Sequence, residues 1–175
     1  MEGATRRPVA AVIGGNTASE ELLAAAEAIG CGLVDHGFRI VTGGRGGVMA
    51  AASRGAHRSR SYIEGTVVGL LPTLDPADAN PWVDIVVPTG LHHARNALVV
   101  GMADVVVAVG GSAGTLSEMA LAWTQGKRLV ALDIGEGWSA RLAGEALDPR
   151  REDIVHRATT AEEAVSLAVG ALTPR

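Results

Sequence analysis

The chain has 175 residues, of which 47% are hydrophobic and 3% aromatic, so its length suits one domain with a core of Val, Leu, Ala and Gly. A net charge of -4 argues against a nucleic-acid partner, because a nucleic-acid surface needs a basic face. The single cysteine excludes an internal disulfide framework, and no apolar run is long enough to cross a bilayer. These features predict a cytoplasmic protein without membrane contact.

Buried strands and amphipathic helices alternate along most of the chain. Residues 1–7 are predicted to be a flexible tail, and residues 8–175 a single domain. The predicted strands are 9–13, 39–42, 66–71, 84–87, 105–109, 129–133 and 154–157. Six helices are predicted. Three span residues 48–57, 91–102 and 138–146, and the other three begin after the N-caps Ser19, Thr115 and Thr160. This alternation predicts a doubly wound, Rossmann-like α/β domain, with a mainly parallel sheet of about seven strands and helices on both faces.

Paired glycines follow three of the predicted strands. They stand in the turns Gly14-Gly15-Asn16, Gly43 to Gly47, and Gly110 to Gly114. In a parallel sheet, ligands bind beyond the carboxyl ends of the strands, and open N–H groups at a helix start attract phosphate. We therefore expect the three turns to face one crevice. The phosphate-binding candidates in the first two turns are Gly14, Gly15, Asn16, Gly43, Gly44, Arg45, Gly46 and Gly47.

Three motifs occur together in this chain: TGGRGGVMAAASRGA at 42–56, PTGLHHARN at 88–96 and GGSAGTLSE at 110–118. The chain resembles the Rossmann-like proteins labelled "possible lysine decarboxylase". That group includes the lonely-guy phosphoribohydrolases and the molybdenum-cofactor carrier proteins, and this sequence looks closer to the carrier-like branch. The resemblance runs from Val9 to about Leu172. No lysine is placed for a pyridoxal Schiff base, so the decarboxylase label itself has no support.

The resemblance implies a homodimer or homotetramer that holds a phosphorylated small molecule and requires no cofactor. In the hydrolase branch, an arginine and a glutamate form the catalytic pair, and they match Arg95 and Glu118. The glycine motif holds the phosphate. The implied binding residues are Gly111, Ser112, Gly114 and Thr115, together with Asn96. Two departures stand out, because the usual proline-glycine-glycine is Gly110-Gly111-Ser112 here and the usual arginine-lysine pair is Arg95-Asn96.

Two functions follow from the resemblance. The first hypothesis is hydrolysis of a nucleoside 5′-monophosphate, AMP or an N6-substituted AMP, to the base and ribose 5-phosphate. The alternative is a carrier that binds molybdenum cofactor, a nucleotide or another phosphorylated ligand without chemistry. Turnover separates the two functions, since a carrier needs only saturable binding.

Purely structural interpretations compete with these roles. Thr115 and Glu118 fit the T-x-x-E capping box, and a capping box also fits Thr160 and Glu163. Arg95 fits an exposed charge on a helix whose buried positions are Leu91, Leu98 and Met102. Asn16 and Arg45 fit ordinary turn residues as well as phosphate ligands.

Two further patterns point to other chemistry. Gly110 to Gly114 fits the G-x-S-x-G elbow of esterases, with Ser112 as nucleophile and with Asp133 and His156 following in the esterase order, although the chain is short for that fold. His92 and His93 are adjacent, and adjacent helical side chains point about 100° apart. No metal site is therefore predicted.

Overall fold

The structure is a computed structural model that describes residues 6–172. Within this range the chain forms seven strands and six α-helices, labelled in chain order. The strands are β1 Val9–Gly14, β2 Arg39–Thr42, β3 Val67–Leu71, β4 Ile85–Pro88, β5 Val105–Val109, β6 Arg128–Leu132 and β7 His156–Ala158. The helices are α1 Glu20–Asp35, α2 Gly47–Arg58, α3 Asn96–Met102, α4 Ala113–Thr124, α5 Trp138–Leu142 and α6 Ala161–Gly170.

All described strands pair in parallel in one sheet, in the order β4-β3-β2-β1-β5-β6-β7. The chain winds outward from β1 to β4 and then returns to place β5 beside β1. From there it winds outward in the other direction to β7. The predicted doubly wound α/β fold is confirmed.

Both faces of the sheet are buried, because alternate residues of each strand point to opposite sides. Ala10 and Val12 of β1 join the core under α1, α2 and α6. Ala11 and Ile13 join the second core under α3, α4 and α5. The short strand side chains let the helices approach closely, which explains how a chain with few aromatic residues fills both layers.

The predicted helix 91–102 is wrong in its start and in its buried face. A 3₁₀ turn spans His92–Arg95, and α3 begins only at Asn96. The buried residues of α3 are Asn96, Val99 and Val100. Leu98 is 46% exposed and Met102 is 40% exposed. A 3₁₀ helix has three residues per turn and an α-helix has 3.6. The 3₁₀ turn therefore changes which residues of the following helix face the core.

The predictions for residues 138–157 were also too long or displaced. Helix α5 ends at Leu142, and β7 begins at His156. The Gly144 N–H donates to the Val155 carbonyl, and the Val155 N–H donates to the Glu145 carbonyl. This extra pairing stops the helix early, and it holds residue 155 outside the sheet ladder.

Most of the predicted tail, residues 1–5, lies outside the described residues. Arg6 pairs with Asp104 at 2.6 Å, and Arg7 donates to the carbonyls of Gly37 and Phe38. Between residues 6 and 172, none of the helices combines the length and the apolar character that crossing a membrane requires.

Candidate functional site

A cleft lies where the sheet changes winding direction, between β1 and β5. Gly14 at the end of β1 pairs with Val109 at the end of β5. The chain leaves these two strands toward opposite sides, and a crevice at such a point is the usual ligand site of an open α/β sheet. The cleft has a volume of about 470 Å³, which is large enough for a nucleotide-sized molecule.

Most of the predicted site residues line this cleft. They are Gly14, Gly15, Asn16, Gly43, Arg45, Arg95, Asn96, Ser112, Gly114, Thr115 and Glu118. Of the other predicted residues, Gly44, Gly46 and Gly111 lie in the adjoining turns, and Gly47 begins α2. Six lining residues were missed: Ile13, Met49, Pro72, Thr73, His92 and His93. His92 has a positive φ of 49°, and this turn brings residues 92–93 to the cleft. The hydrophobic periodicity of the sequence does not predict such a turn.

Helix α4 begins at the cleft without a side-chain cap. Ser112 is the N-cap, and its hydroxyl makes no capping hydrogen bond. The Leu116 N–H donates to the Ser112 carbonyl at 3.0 Å. The N–H groups of Ala113, Gly114 and Thr115 precede it, and a helix leaves such groups without an internal partner. Together with the helix dipole, they make a corner whose partial positive charge suits an anion.

The predicted capping box at Thr115 and Glu118 is wrong. Helix α4 starts at Ala113, so Thr115 already lies inside the first turn and Glu118 in the second. The Glu118 carboxylate instead accepts a hydrogen bond from Arg95 Nη1 at 3.2 Å. The pattern alone could not reveal this, because the helix start depends on the Gly110-Gly111 turn that precedes it.

Arg95 is partly buried, contrary to the interpretation as an exposed helix charge. Its side chain is 12% exposed, and that of Glu118 is 8% exposed. Arg95 Nη1 also donates to Asn96 Oδ1 at 2.8 Å. The 3₁₀ turn directs the guanidinium toward the sheet edge, where α4 supplies its carboxylate partner.

Burial is the main cause of the pKa shifts of Glu118 and Arg95. Loss of water raises the pKa of Glu118 from 4.5 to about 7, although the neighbouring Arg95 opposes the change. Burial lowers the pKa of Arg95, and Glu118 opposes that change. A guanidinium nevertheless stays charged in proteins. The cleft therefore holds a permanent cation beside a carboxyl group that exchanges its proton near neutrality, which is typical of functional sites.

Arg45 adds a second cation to the cleft. It is half-buried in the turn after β2, and its charge contributes to lowering the pKa of Arg95. The cleft thus places two arginines against one carboxyl group in a protein of net charge -4. Both arginines line the same cleft as the open start of α4.

Two turn residues support this arrangement without presenting a charge. A side chain at Gly43 would overlap the Arg95 guanidinium and lie 2.7 Å from the Met49 sulfur, so it would displace Arg95 from its observed position. Asn16 Oδ1 accepts a hydrogen bond from the Gly46 N–H at 3.0 Å. This bond ties the turn after β1 to the turn after β2.

The residues of the esterase pattern are not gathered at the cleft. Asp133 forms an ion pair with Arg157 at 2.6 Å, and His156 Nε2 lies 3.4 Å from Asp153. Of the three, only Ser112 is among the lining residues that the structure describes. Across residues 6–172, no group of three or more His, Cys, Asp or Glu side chains is arranged to hold a metal ion.

Comparison with solved structures gives matches over nearly the whole chain. A structural-genomics target named TM1055 is 34% identical, with a TM-score of 0.82, and the match covers 91% of this chain and 97% of that one. A molybdenum cofactor binding protein from the phototrophic bacterium Rippkaea orientalis is 32% identical, with a TM-score of 0.83 over 97% of this chain and 100% of that one. The molybdenum cofactor carrier protein of Chlamydomonas reinhardtii is 29% identical, with a TM-score of 0.79 over 95% and 99%.

The family comparison agrees with this picture. The SLOG cluster4 family matches residues 7–165. This range contains the whole sheet and every residue that lines the cleft. The chain therefore belongs to the SLOG cluster4 family.

Proposed function

We propose that this protein binds a phosphorylated heterocyclic molecule in the cleft, and that its cargo is of the molybdenum-cofactor kind. The observation that carries the proposal is the open start of α4, where Ser112 makes no capping bond, beside the partly buried Arg95 and Arg45. A phosphate group satisfies such a corner because it brings several acceptor oxygens and negative charge together.

Two comparisons support molybdenum cofactor as the cargo. The proteins from Rippkaea orientalis and Chlamydomonas reinhardtii are named for binding or carrying it, and they match nearly the full length of this chain. The phosphate would rest on the N–H groups at the start of α4. The rest of the ligand would extend toward Thr73, His92 and His93, which complete the cleft.

Co-elution tests this function directly. Molybdenum cofactor released from a denatured molybdoenzyme is mixed with the purified protein under anaerobic conditions and separated by gel filtration. We expect pterin fluorescence, after oxidation, and molybdenum to elute with the protein. Arg95→Ala should lose both signals, whereas Arg60→Ala, on the exposed turn after α2, should retain them. Absence of co-elution with the unaltered protein contradicts the proposal.

A second candidate function, phosphoribohydrolysis, has one specific observation in its favour. The Glu118 carboxyl lies in the cleft with a pKa of about 7. Such a group can donate or accept a proton at neutral pH. Hydrolysis of an N-glycosidic bond adds water to C1′ of the ribose and releases the base with a proton, through an oxocarbenium-like state.

The chain offers a residue for each part of that reaction. The start of α4 would hold the 5′-phosphate, and ionised Glu118 would steady the positive charge at C1′ or activate water. Arg95 would hold an oxyanion or polarise the leaving base. The carrier function needs none of these proton transfers, so chemistry at Glu118 separates the two candidates.

Release of free base decides between them. The protein is incubated with AMP, N6-substituted AMP, GMP, CMP and UMP, and base and ribose 5-phosphate are measured by chromatography. A hydrolase releases both products, and Glu118→Gln abolishes the release while the variant remains folded. If no monophosphate is cleaved while cofactor co-elution is retained, the protein is a carrier.

The homo-oligomer that the resemblance implies stays a proposal. Helix α3 offers a surface for it, since Leu98 and Met102 are both exposed. Sedimentation of the purified protein gives the number of subunits, and a charged residue at Leu98 should reduce it if α3 lies in the interface.

A further inference from the structure

The side-chain amide of Asn96 joins the two parts of the site. Asn96 is buried, with 4% of its surface exposed. Its Oδ1 accepts the hydrogen bond from Arg95 Nη1 at 2.8 Å, and its Nδ2 donates to Ser117 Oγ at 2.7 Å and to the Gly114 carbonyl at 3.3 Å. Arg95 can only donate, so the amide orientation is fixed. Both polar ends of Asn96 are thus engaged by protein groups.

This contact determines how Arg95 presents its nitrogen atoms. Nη1 makes both of the hydrogen bonds that the structure describes for the guanidinium, to Asn96 and to Glu118. Nε is buried without a hydrogen-bond partner among the described residues. Nη2 lies beside Gly43, at the wall of the cleft. Arg95 therefore touches Glu118 at one point instead of forming the two-bond fork that arginine and carboxylate groups favour.

We propose that Asn96 is a positioning residue, which ties Arg95 to the first turn of α4 and leaves Nη2, at the wall of the cleft, available to an oxyanion of the ligand. The sequence pattern suggested Asn96 as a direct ligand contact. Its hydrogen bonds favour the positioning role, since a ligand would have to displace protein partners to reach the amide. The ligand part of this inference rests on the proposed function, whereas the orientation of Arg95 does not.

The hydrogen bond between Arg95 and Asn96 also accounts for the raised pKa of Glu118. A two-bond fork with Arg95 would stabilise the ionised carboxylate more than a single bond does. With one bond at 3.2 Å, burial outweighs the arginine, and the pKa of Glu118 stands at about 7. Asn96 therefore acts on Glu118 through Arg95 without touching it.

Titration of the Glu118 side-chain carbon by NMR tests this role without any ligand. In Asn96→Ala the guanidinium is free to turn onto Glu118, so the pKa of Glu118 should fall by about one pH unit or more. In Asn96→Asp a new carboxylate competes for Arg95, so the pKa of Glu118 should rise. Ser117→Ala is the matched control, because it removes one partner of Asn96 but leaves the contact with Arg95.

Each outcome of this experiment bears on the proposal. Opposite changes in the two Asn96 variants, with little change in Ser117→Ala, support positioning. An unchanged Glu118 titration in folded Asn96→Ala, or in the near-isosteric Asn96→Asp if the alanine variant does not fold, overturns it.

Inorganic phosphate is the probe for the second part of the proposal, that Asn96 keeps Arg95 available to an oxyanion of the ligand. Folded Asn96→Ala should bind phosphate about tenfold more weakly than the unaltered protein, and unchanged binding overturns the part of the proposal that concerns the ligand. If the unaltered protein binds neither phosphate nor molybdenum cofactor while the Glu118 titration responds as expected, the proposed function fails and the positioning of Arg95 stands.

Discussion

Two helices of this protein carry the same T-x-x-E pattern and use it in different ways. At α6, Thr160 Oγ1 accepts from the Glu163 N–H at 3.1 Å, and Glu163 accepts from the Thr159 N–H at 2.7 Å. The helix start is closed by its own side chains, one residue away from the predicted capping box. At α4, Thr115 and Glu118 lie inside the helix, and its start stays open to the cleft.

The two glutamates differ in charge state as a result. Hydrogen bonds from the N–H and hydroxyl of Thr159 lower the pKa of exposed Glu163. Burial raises the pKa of Glu118 to about 7. The same pattern therefore closes the start of one helix and, in the other, leaves the start uncapped and a carboxyl group buried.

The largest expected effect is the pH dependence of stability that Glu118 causes. Below about pH 4.5 the carboxyl is protonated in the folded and in the unfolded chain. As pH rises from 4.5 to about 7, the unfolded chain releases the proton first, so folding stability falls by on the order of 3 kcal/mol. Glu118→Gln should remove this loss and be more stable than the unaltered protein at pH 8, as measured by urea unfolding.

Glu163→Gln is the matched control and should change stability in the opposite direction. The lowered pKa of Glu163 means that its contribution is present above the ordinary carboxyl range and is lost as pH falls through the folded value. Glu163→Gln should therefore be less stable at neutral pH and equal to the unaltered protein in acid. If Glu118→Gln behaves in the same way, the two glutamates do not differ as described.

A smaller effect is expected at the two N-caps. Thr160→Ala removes a capping hydrogen bond and should reduce the free energy of unfolding by about 1 kcal/mol. Ser112 makes no such bond, so Ser112→Ala should cost less than about 0.5 kcal/mol. Equal costs in urea unfolding would mean that α4 is capped as α6 is.

The smallest effect on stability comes from glycines within the two helices. Gly114 and Gly170 both have open space around an added methyl group. Each substitution by alanine should stabilise the chain by about 0.5 kcal/mol or less, because both glycines lie in end turns and the full helix propensity applies to interior positions; thermal unfolding measures the change. Gly114→Ala should also weaken phosphate binding, because its methyl group enters the anion-binding corner, whereas Gly170→Ala should not. Equal binding by both variants would remove Gly114 from the site.

The sequence predicted the fold because its signal is local. Val105 to Val109 form a buried strand, and Ser19 and Thr160 cap helices as expected. Most of the predicted site residues line one cleft because the glycine turns follow strands, and the ends of parallel strands meet at one edge of the sheet. The other features of the cleft depend on contacts between segments that are distant in the sequence. The 3₁₀ turn brings His92 and His93 to the cleft and places Arg95 against Glu118, and no spacing along the chain predicts that contact.

The proposed phosphate site requires that the start of α4 be open to the cleft. Inorganic phosphate and AMP are titrated into ¹⁵N-labelled protein while the amide resonances of Ala113, Gly114 and Thr115 are compared with those of Ala161 and Glu162. We predict saturable shifts at the start of α4, accompanied by a change in the Arg95 side-chain signals, and none at the start of α6. Saturation without shifts at the start of α4, or equal shifts at both helices, would contradict it.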